Sequence, residues 1–363
     1  MHMRSASRKL LKLRLARKLV STMPKIVEIG NSGVLASNIT MGAMGIGGGF
    51  RYPDSDDAES IRAIHAAIDA GITLIDSAPV YGFGHSEEVI GKAIADRRDK
   101  VVVSTKCGLW WDDEEGSYRF TWEGKRVKRN LSARTLRIEL QNSLKRLGTD
   151  YIDIYYTHNP ACPPFDTPIE ETIGVLEEFK REGYIRAIGA SNAEVHHVQS
   201  YLDLGSVDIV QRRYSMFDHS AEETLFAFAR KKGLSLHGYS VLEKGLFGGS
   251  VKRGHDLAHD EARNNSGSNA PGNIWASAQS LDLAVDYADA LAREVAAPLG
   301  LTLAELAIAY DVNKGVNPIV GIRRESHVAG VVRGSEVELP SDILSEIDRR
   351  ADELTSKVNE LGA

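Results

Sequence analysis

From about residue 36 onward, short apolar or β-branched runs alternate with amphipathic stretches, and this alternation constrains the fold more than any other feature of the chain. The strand-like runs are Ile39–Met44, Thr73–Ser77, Val101–Lys106, Ile152–Thr157, Ile185–Gly189, Val207–Gln211, Ser235–Ser240 and Pro318–Gly321. Their lengths and continuous apolar character suit parallel strands covered on both faces. The stretches between them carry apolar residues three and four apart, the spacing of a helix with one buried face. They are Asp57–Ala70, Ser86–Asp96, Ser132–Leu147, Thr167–Arg181, Glu194–Leu204, Ala221–Lys232, Leu281–Leu299, Leu303–Asn313 and Ser341–Leu354. Ser86 and Ser132 read as N-caps and Gly148 as a closing C′ glycine. Eight strand signals each followed by a helix predict an α/β fold, a (β/α)8 TIM barrel, over an open doubly wound sheet. Lys25–Val34, with Asn31-Ser32-Gly33 as its turn, reads as an N-terminal β-hairpin ahead of the first strand.

With 363 residues, 42% of them hydrophobic, the chain is long enough for one such barrel, and no composition break divides it, so residues 25–363 read as a single domain. A net charge of −6 argues against nucleic acid or an anionic membrane as a partner. Cys107 and Cys162 make no disulfide framework, which places the chain in a reducing compartment, the cytoplasm. No apolar run is long enough to cross a bilayer. Residues 1–24 stand apart: Arg4, Arg8, Lys9, Lys12, Arg14, Arg17 and Lys18 occur there without a single acid. The segment reads as a basic N-terminal extension, disordered or not native, with Met23 the natural start. An organellar transit peptide and a membrane-surface helix are the alternatives.

The ends of the predicted strands carry the chemistry. Strand two ends in Asp76 with Tyr81 five residues on, strand three in Lys106, and strand four just before His158. Parallel barrel strands end on one rim, so an acid, a phenol, an amine and an imidazole converge there. Tyrosine, with an ordinary pKa of about 10, is a weak acid by itself. A neighbouring ammonium, Lys106, favours the phenolate, Asp76 beside the lysine keeps it charged, and His158 can hydrogen-bond a substrate carbonyl oxygen. The expected activity is proton delivery by Tyr81 during reduction of an aldehyde or ketone, with a small carbonyl compound as substrate. Singly, each residue has a structural reading: a helix-capping acid, a solvated lysine, a loop histidine.

These segments resemble the aldo-keto reductase family. The likeness lies in Asp76-Ser-Ala-Pro-Val-Tyr81-Gly, Ser104-Thr-Lys106-Cys-Gly, Tyr156-Thr-His158-Asn-Pro160 and Leu144-Lys-Arg-Leu-Gly-Thr-Asp150-Tyr-Ile-Asp153, and it runs from about Lys25 to about Asp352. The resemblance implies a barrel that binds NADPH, less readily NADH, in an extended pose. Ser191, Asn192 and Gln211 resemble the residues that hold the nicotinamide carboxamide, and Tyr214 the aromatic stacked on its ring. Ser240, Leu242 and Gly245 resemble the loop that covers the pyrophosphate. Gly321, Arg323, Arg324 and His327 resemble the grip on the adenosine 2′-phosphate. Two adjacent arginines suit a phosphate independently of any family. The sequence departs from the family at Gly330 and Val331, where adenine contacts are usual, at Ala193, and at Asn159-Pro160-Ala161 after the histidine.

The resemblance also admits a cofactor-binding interaction subunit, like the potassium-channel β subunits. The bare site admits a barrel lyase using Lys106 as a Schiff-base amine. Two long segments on the rim, Gly108–Leu131 and Gly245–Ser280, read as loops that wall a pocket with Trp110, Trp111, Tyr118, Phe120, Trp122 and Trp275, or pack against the rim. The glycine-rich Gly42–Gly49 lacks dinucleotide-fingerprint spacing and reads as flexible backbone. Cys107 and Cys162 read as packing residues. His196 and His197, on a helix where neighbours face apart, suggest no metal ligands, and no metal-ligand spacing occurs elsewhere.

Overall fold

The structure is a computed structural model, and it describes residues 23–48, 52, 55–257 and 273–362. The basic segment therefore falls outside the described residues, apart from Met23 and Pro24. A hairpin comes first: β1 (Ile26–Glu28) pairs antiparallel with β2 (Leu35–Ser37) around the expected turn. Eight strands then close a parallel barrel. They are β3 (Thr40–Gly42), β4 (Leu74–Asp76), β5 (Val102–Cys107), β9 (Ile152–Thr157), β10 (Ile185–Ser191), β11 (Ile209–Arg213), β12 (Ser235–Tyr239) and β13 (Asn317–Gly321), and each falls on or within two residues of a predicted run. Pairing of β13 with β3, Ile319 opposite Thr40, closes the ring.

The barrel interior is apolar at its base. Leu74, Val102, Ile154, Tyr156, Ala187 and Ile209 meet Ile29, Val34 and Ala36 there, so the hairpin is a plug. Each buried aliphatic side chain contributes about 1.5–3 kcal/mol, so the plug leaves only the opposite, C-terminal rim open to chemistry.

The helical layer follows the predicted order: α1 (Asp57–Asp69), α2 (His85–Ile94), α3 (Ala133–Leu147), α4 (Ile169–Arg181) and α5 (Val195–Leu204). Beyond them come α6 (Ala227–Lys231), entered through Glu222–Phe226, α7 (Ala278–Leu291), α8 (Leu303–Asn313), α9 (Val328–Glu336) and α10 (Ser341–Gly362). No single helix among the described residues is long and apolar enough to cross a membrane.

Several local expectations are corrected. Ser86 is not the cap of α2: Gly84 holds that place, and the buried Ser86 hydroxyl donates to the Ala43 carbonyl at 2.9 Å. His196 and His197 do not face apart. The Glu194 N–H donates to His197 Nδ1 in a capping box, which draws that ring back until the two centroids are 3.8 Å apart. α9 was not expected, because Gly330, Gly334 and its valines are poor helix formers; burial of Val331 and Val332 overrides that propensity. Gly108–Leu131 is not a loop. β6 (Leu109–Trp110), β7 (Ser117–Trp122) and β8 (Lys125–Arg129) form an antiparallel sheet over the rim. Part of the second long segment, residues 258–272, lies outside the described residues.

Candidate active site

The barrel register brings the strand-end residues together. Asp76 stands opposite Ser104, and Lys106 opposite Tyr156. The Lys106 ammonium donates to Asp76 Oδ2 at 2.7 Å and to the Ser77 carbonyl at 2.6 Å. The other Asp76 oxygen accepts from Ser104 Oγ at 2.8 Å and Gln211 Nε2 at 3.2 Å. Asp76 and Lys106 are both buried, so the pair leaves no unmatched charge in a low-dielectric setting. Lys106 Nζ also lies 5.1 Å from the Tyr81 ring centroid, and the Tyr81 and His158 rings meet edge to face at 6.1 Å.

The protonation states follow from burial and neighbours. Burial opposes a charge on Lys106, but Asp76 and Tyr81 outweigh it and lift its pKa above the ordinary lysine value. Burial raises the Tyr81 pKa above the ordinary tyrosine value, and Lys106 pulls it down without overcoming burial. The expected lowering by Lys106 is thus present but does not prevail, and the phenol keeps its proton at neutral pH. Burial, then Lys106 and Arg119, hold His158 well below the ordinary histidine range, so it is a neutral imidazole. The group is an uncharged acid and a neutral hydrogen-bonding ring over a buried ion pair, suited to protonating an oxygen on which negative charge develops.

A chain of polar groups runs along the rim from this cluster. Ser191 Oγ donates to Gln211 Oε1 at 3.1 Å. Asn192 Nδ2 donates to the His158 carbonyl at 2.9 Å, and Asn192 Oδ1 accepts from the Tyr239 hydroxyl at 2.6 Å. Asn192 (φ +56°) and Ser240 (φ +67°) are held in left-handed backbone, a conformation that concentrates at functional sites. Leu242 and Gly245 follow on the same turn. Carboxamides, hydroxyls and a half-exposed tyrosine ring form a donor set that fits a nicotinamide and its amide.

Tyr214 does not join them. It is fully buried, its ring stacks on Tyr310 at 6.0 Å, and its hydroxyl donates to Glu222 in the helical layer outside the barrel. The aromatic that the structure brings to the rim is Tyr239, at the end of β12, which sequence reasoning did not single out as a ring contact. Its signal was present as the tyrosine directly before Ser240.

Beyond β13, the stem of Arg323 packs on Gly45, where a Cβ would sit 2.6 Å from its Cδ, and its guanidinium lies over the Tyr52 ring at 5.3 Å. Gly47 abuts the Tyr81 backbone, where a Cβ would come within 2.7 Å. Gly45 and Gly47 are therefore demanded by close packing between two parts of the rim, not by flexibility. Arg324 lies 3.6 Å from Glu59, and both line a cleft of about 540 Å³ with Arg62, Glu325 and Ser326. Gly321 and His327 are exposed beside it. Val331 packs into the core and is not presented to this cleft.

Cys107 donates its thiol to the Tyr156 carbonyl at 3.3 Å, and burial keeps it protonated well above the ordinary range, which fits its packing reading. Trp110 and Trp275 are also buried, as packing residues of the rim.

Known proteins are similar to this chain. Over 231 residues the chain is 43% identical to the NADH-specific methylglyoxal reductase of Escherichia coli, spanning 63% of this chain and 71% of that one. It is 37% identical over 239 residues to the aldo-keto reductase YhdN of Bacillus subtilis, covering 65% and 68%. Among solved structures, the glycerol dehydrogenase AKR11B4 of Gluconobacter oxydans superimposes with a TM-score of 0.76 at 27% identity, over 92% of this chain and 95% of that one. The model of the Aldo/keto reductase family matches residues 38–352, and with the closed barrel and its strand-end cluster this means that the chain belongs to the aldo/keto reductase family.

Proposed function

We propose that this protein reduces an aldehyde or ketone to the corresponding alcohol, with Tyr81 as the proton donor. The observation that carries the reading is the placement of a protonated Tyr81 between the buried Lys106–Asp76 pair and a neutral His158. A nicotinamide cofactor, when bound, supplies the hydride. The chain's own residues do the rest. His158 and Tyr81 hold the carbonyl oxygen between two hydrogen-bond donors, and Tyr81 releases its proton to that oxygen as negative charge grows there. Lys106 stabilises the phenolate left behind, and Asp76 holds Lys106 in place. Ser191, Asn192 and Gln211 would hold the nicotinamide amide, and Tyr239 would stack on its ring. A lyase reading is disfavoured, because a lysine kept charged by Asp76 is a poor Schiff-base nucleophile.

Arg323 and Arg324 alone favour NADPH. However, Arg324 faces Glu59, and Glu325 follows it directly, so the cleft presents acids beside its bases. A 2′-phosphate there meets partial repulsion, whereas a ribose 2′-hydroxyl can donate to Glu59. Together with the NADH-specific relative from Escherichia coli, this supports NADH as the preferred cofactor.

The test is a fluorescence titration with each dinucleotide, followed by cofactor oxidation with a panel of aldehydes and ketones. NADH should bind several-fold tighter than NADPH and be consumed with at least one carbonyl. Glu59→Gln should move the preference toward NADPH by roughly tenfold. Absence of carbonyl-dependent oxidation with either nucleotide would sink the reading and favour an interaction subunit.

A further inference from the structure

The sheet over the rim carries two arginines that no acid answers. Arg119 occupies the register irregularity between Tyr118 and Phe120 on β7, an extra residue with no partner on β8. Such a bulge re-aims the side chain it carries. Phe120 and Val127, paired just past the irregularity, join one apolar cluster with Ala78 and Val80 against which Tyr81 also packs, so this part of the sheet forms a wall of the catalytic mouth. Ser117, two residues before Arg119, fastens β7 to the loop after β9 by donating to the Cys162 carbonyl at 2.5 Å. Arg129 stands directly opposite Ser117.

Of the other basic residues of the sheet, Lys125 lies over the Phe83 ring at 4.4 Å, and the rest meet acids. Arg126 and Lys128 both reach Glu114, and Arg134, on the adjoining helix, reaches Asp113 and Glu115. Among the described residues, no carboxylate lies within ion-pair distance of Arg119 or Arg129. Nε of Arg129 is buried without a hydrogen-bond partner. Arg119 is exposed, and its guanidinium acts electrostatically on or with Arg129, Tyr239, Cys162 and His158, a set that contains no carboxylate. Two guanidiniums that repel one another near His158, one of them with a buried Nε that lacks a partner, favour an anion that joins them.

We propose that the substrate is a carbonyl compound bearing an anionic oxo group, a carboxylate or a phosphate ester, and that Arg119 and Arg129 hold that group while its carbonyl oxygen lies at Tyr81 and His158. This rests on the carbonyl-reductase reading given above and adds the substrate class to it. The reaction balances without a further reactant. The carbonyl carbon gains a hydride from the reduced nicotinamide, which is oxidised; the oxygen gains the Tyr81 proton; and the anionic group leaves unchanged. The planar fork of arginine matches carboxylate and phosphate oxygens two at a time, which fixes the substrate's orientation as well as its charge.

The experiment compares kcat/KM for matched carbonyls with the wild-type protein and saturating cofactor: 4-oxobutanoate against butanal, and glyceraldehyde 3-phosphate against glyceraldehyde. At least one anionic member should exceed its neutral match by about 10- to 100-fold, a range set by a charge-assisted contact. The arm showing the preference identifies the anion. Arg119→Ala should lower the anionic-over-neutral ratio by a similar factor, mainly through KM, and raising the salt concentration should erode it. Arg119→Lys, which keeps the charge without the fork, should restore part of the ratio, and Arg129→Ala should also lower it. Equal kcat/KM for anionic and neutral members, or a ratio unmoved in Arg119→Ala and Arg129→Ala, overturns the anion assignment while leaving carbonyl reduction standing. Failure of every carbonyl overturns the carbonyl-reductase reading itself, and the anion assignment with it.

Discussion

Two polar clusters flank strands β11 and β12, and they have opposite fates. One is Asp76, Lys106, Gln211 and Tyr81, opening onto the rim. The other lies between the barrel and its outer helices. There Tyr214 bonds Glu222, Tyr310 donates to Asp348, Lys314 reaches both of those carboxylates, and Glu243 accepts from Arg213 and Ser215. Both clusters contain tyrosines and perturbed ionisations. Burial and shifted pKa values therefore do not distinguish a site from a structural network. Access does: Tyr81 and His158 are partly open to the mouth.

The comparison breaks most sharply at Tyr81. Tyr81→Phe should lower turnover by about 10²- to 10⁴-fold, the usual contribution of a general acid. Dinucleotide affinity should stay within about twofold, because the phenol does not hold the cofactor. Steady-state kinetics and a binding titration measure the two effects separately. Near-normal turnover would remove Tyr81 from the role of acid.

The ion pair beneath it gives the next largest effect. Lys106→Met leaves the Asp76 carboxylate buried and uncompensated, at a cost of about 3–5 kcal/mol. Denaturant unfolding should show that loss, and the double variant Asp76→Asn, Lys106→Met should recover most of it. A single variant as stable as the wild type would mean that water reaches Asp76.

Much of this contrast was legible in the chain, and the exceptions have physical causes. Asp76, Lys106 and His158 could be placed because a parallel barrel sends every strand end to one rim. Tyr214 was misplaced because its position, three residues past Gln211, says nothing of the Glu222 and Tyr310 side chains waiting outside the barrel. The sheet bearing Arg119 was missed although Tyr118, Phe120 and Trp122 alternate with polar residues, a strand period. The aromatics drew attention as a loop, and the register irregularity that re-aims Arg119 exists only once β7 and β8 pair.

Exchanging the two tyrosines' roles sharpens the point at smaller scale. Tyr239→Ala should weaken dinucleotide binding by about tenfold, since stacking on a base-like ring is worth about 1–3 kcal/mol. Tyr214→Phe should leave that affinity unchanged and affect only stability, by about 1 kcal/mol for one lost hydrogen bond. The same fluorescence titration reads both variants, and a tighter dependence on Tyr214 than on Tyr239 would restore the original assignment.

The smallest effect concerns the sealed cluster's unused acid. Asp311 is fully buried, both its oxygens lack hydrogen-bond partners, and burial, then Glu243 and Glu222, raise its pKa well above the ordinary carboxylate range. The folded state therefore holds this proton more tightly than the unfolded chain does. The resulting stabilisation is complete below the ordinary aspartate pKa of about 4, and it is lost as pH rises from there toward the raised folded value. Asp311→Asn removes the titration while nearly preserving shape. The variant should be the more stable protein on the alkaline side, by an amount on the order of 1 kcal/mol, and its stability should vary less with pH. Catalytic pH dependence should be untouched, because Asp311 is fully buried and does not act on Tyr81 or His158. Unfolding midpoints and kcat/KM across the same pH range separate the two. A shift in the kinetic profile with Asp311→Asn would show that the sealed network communicates with the rim through β12, and the division between the two clusters would fail.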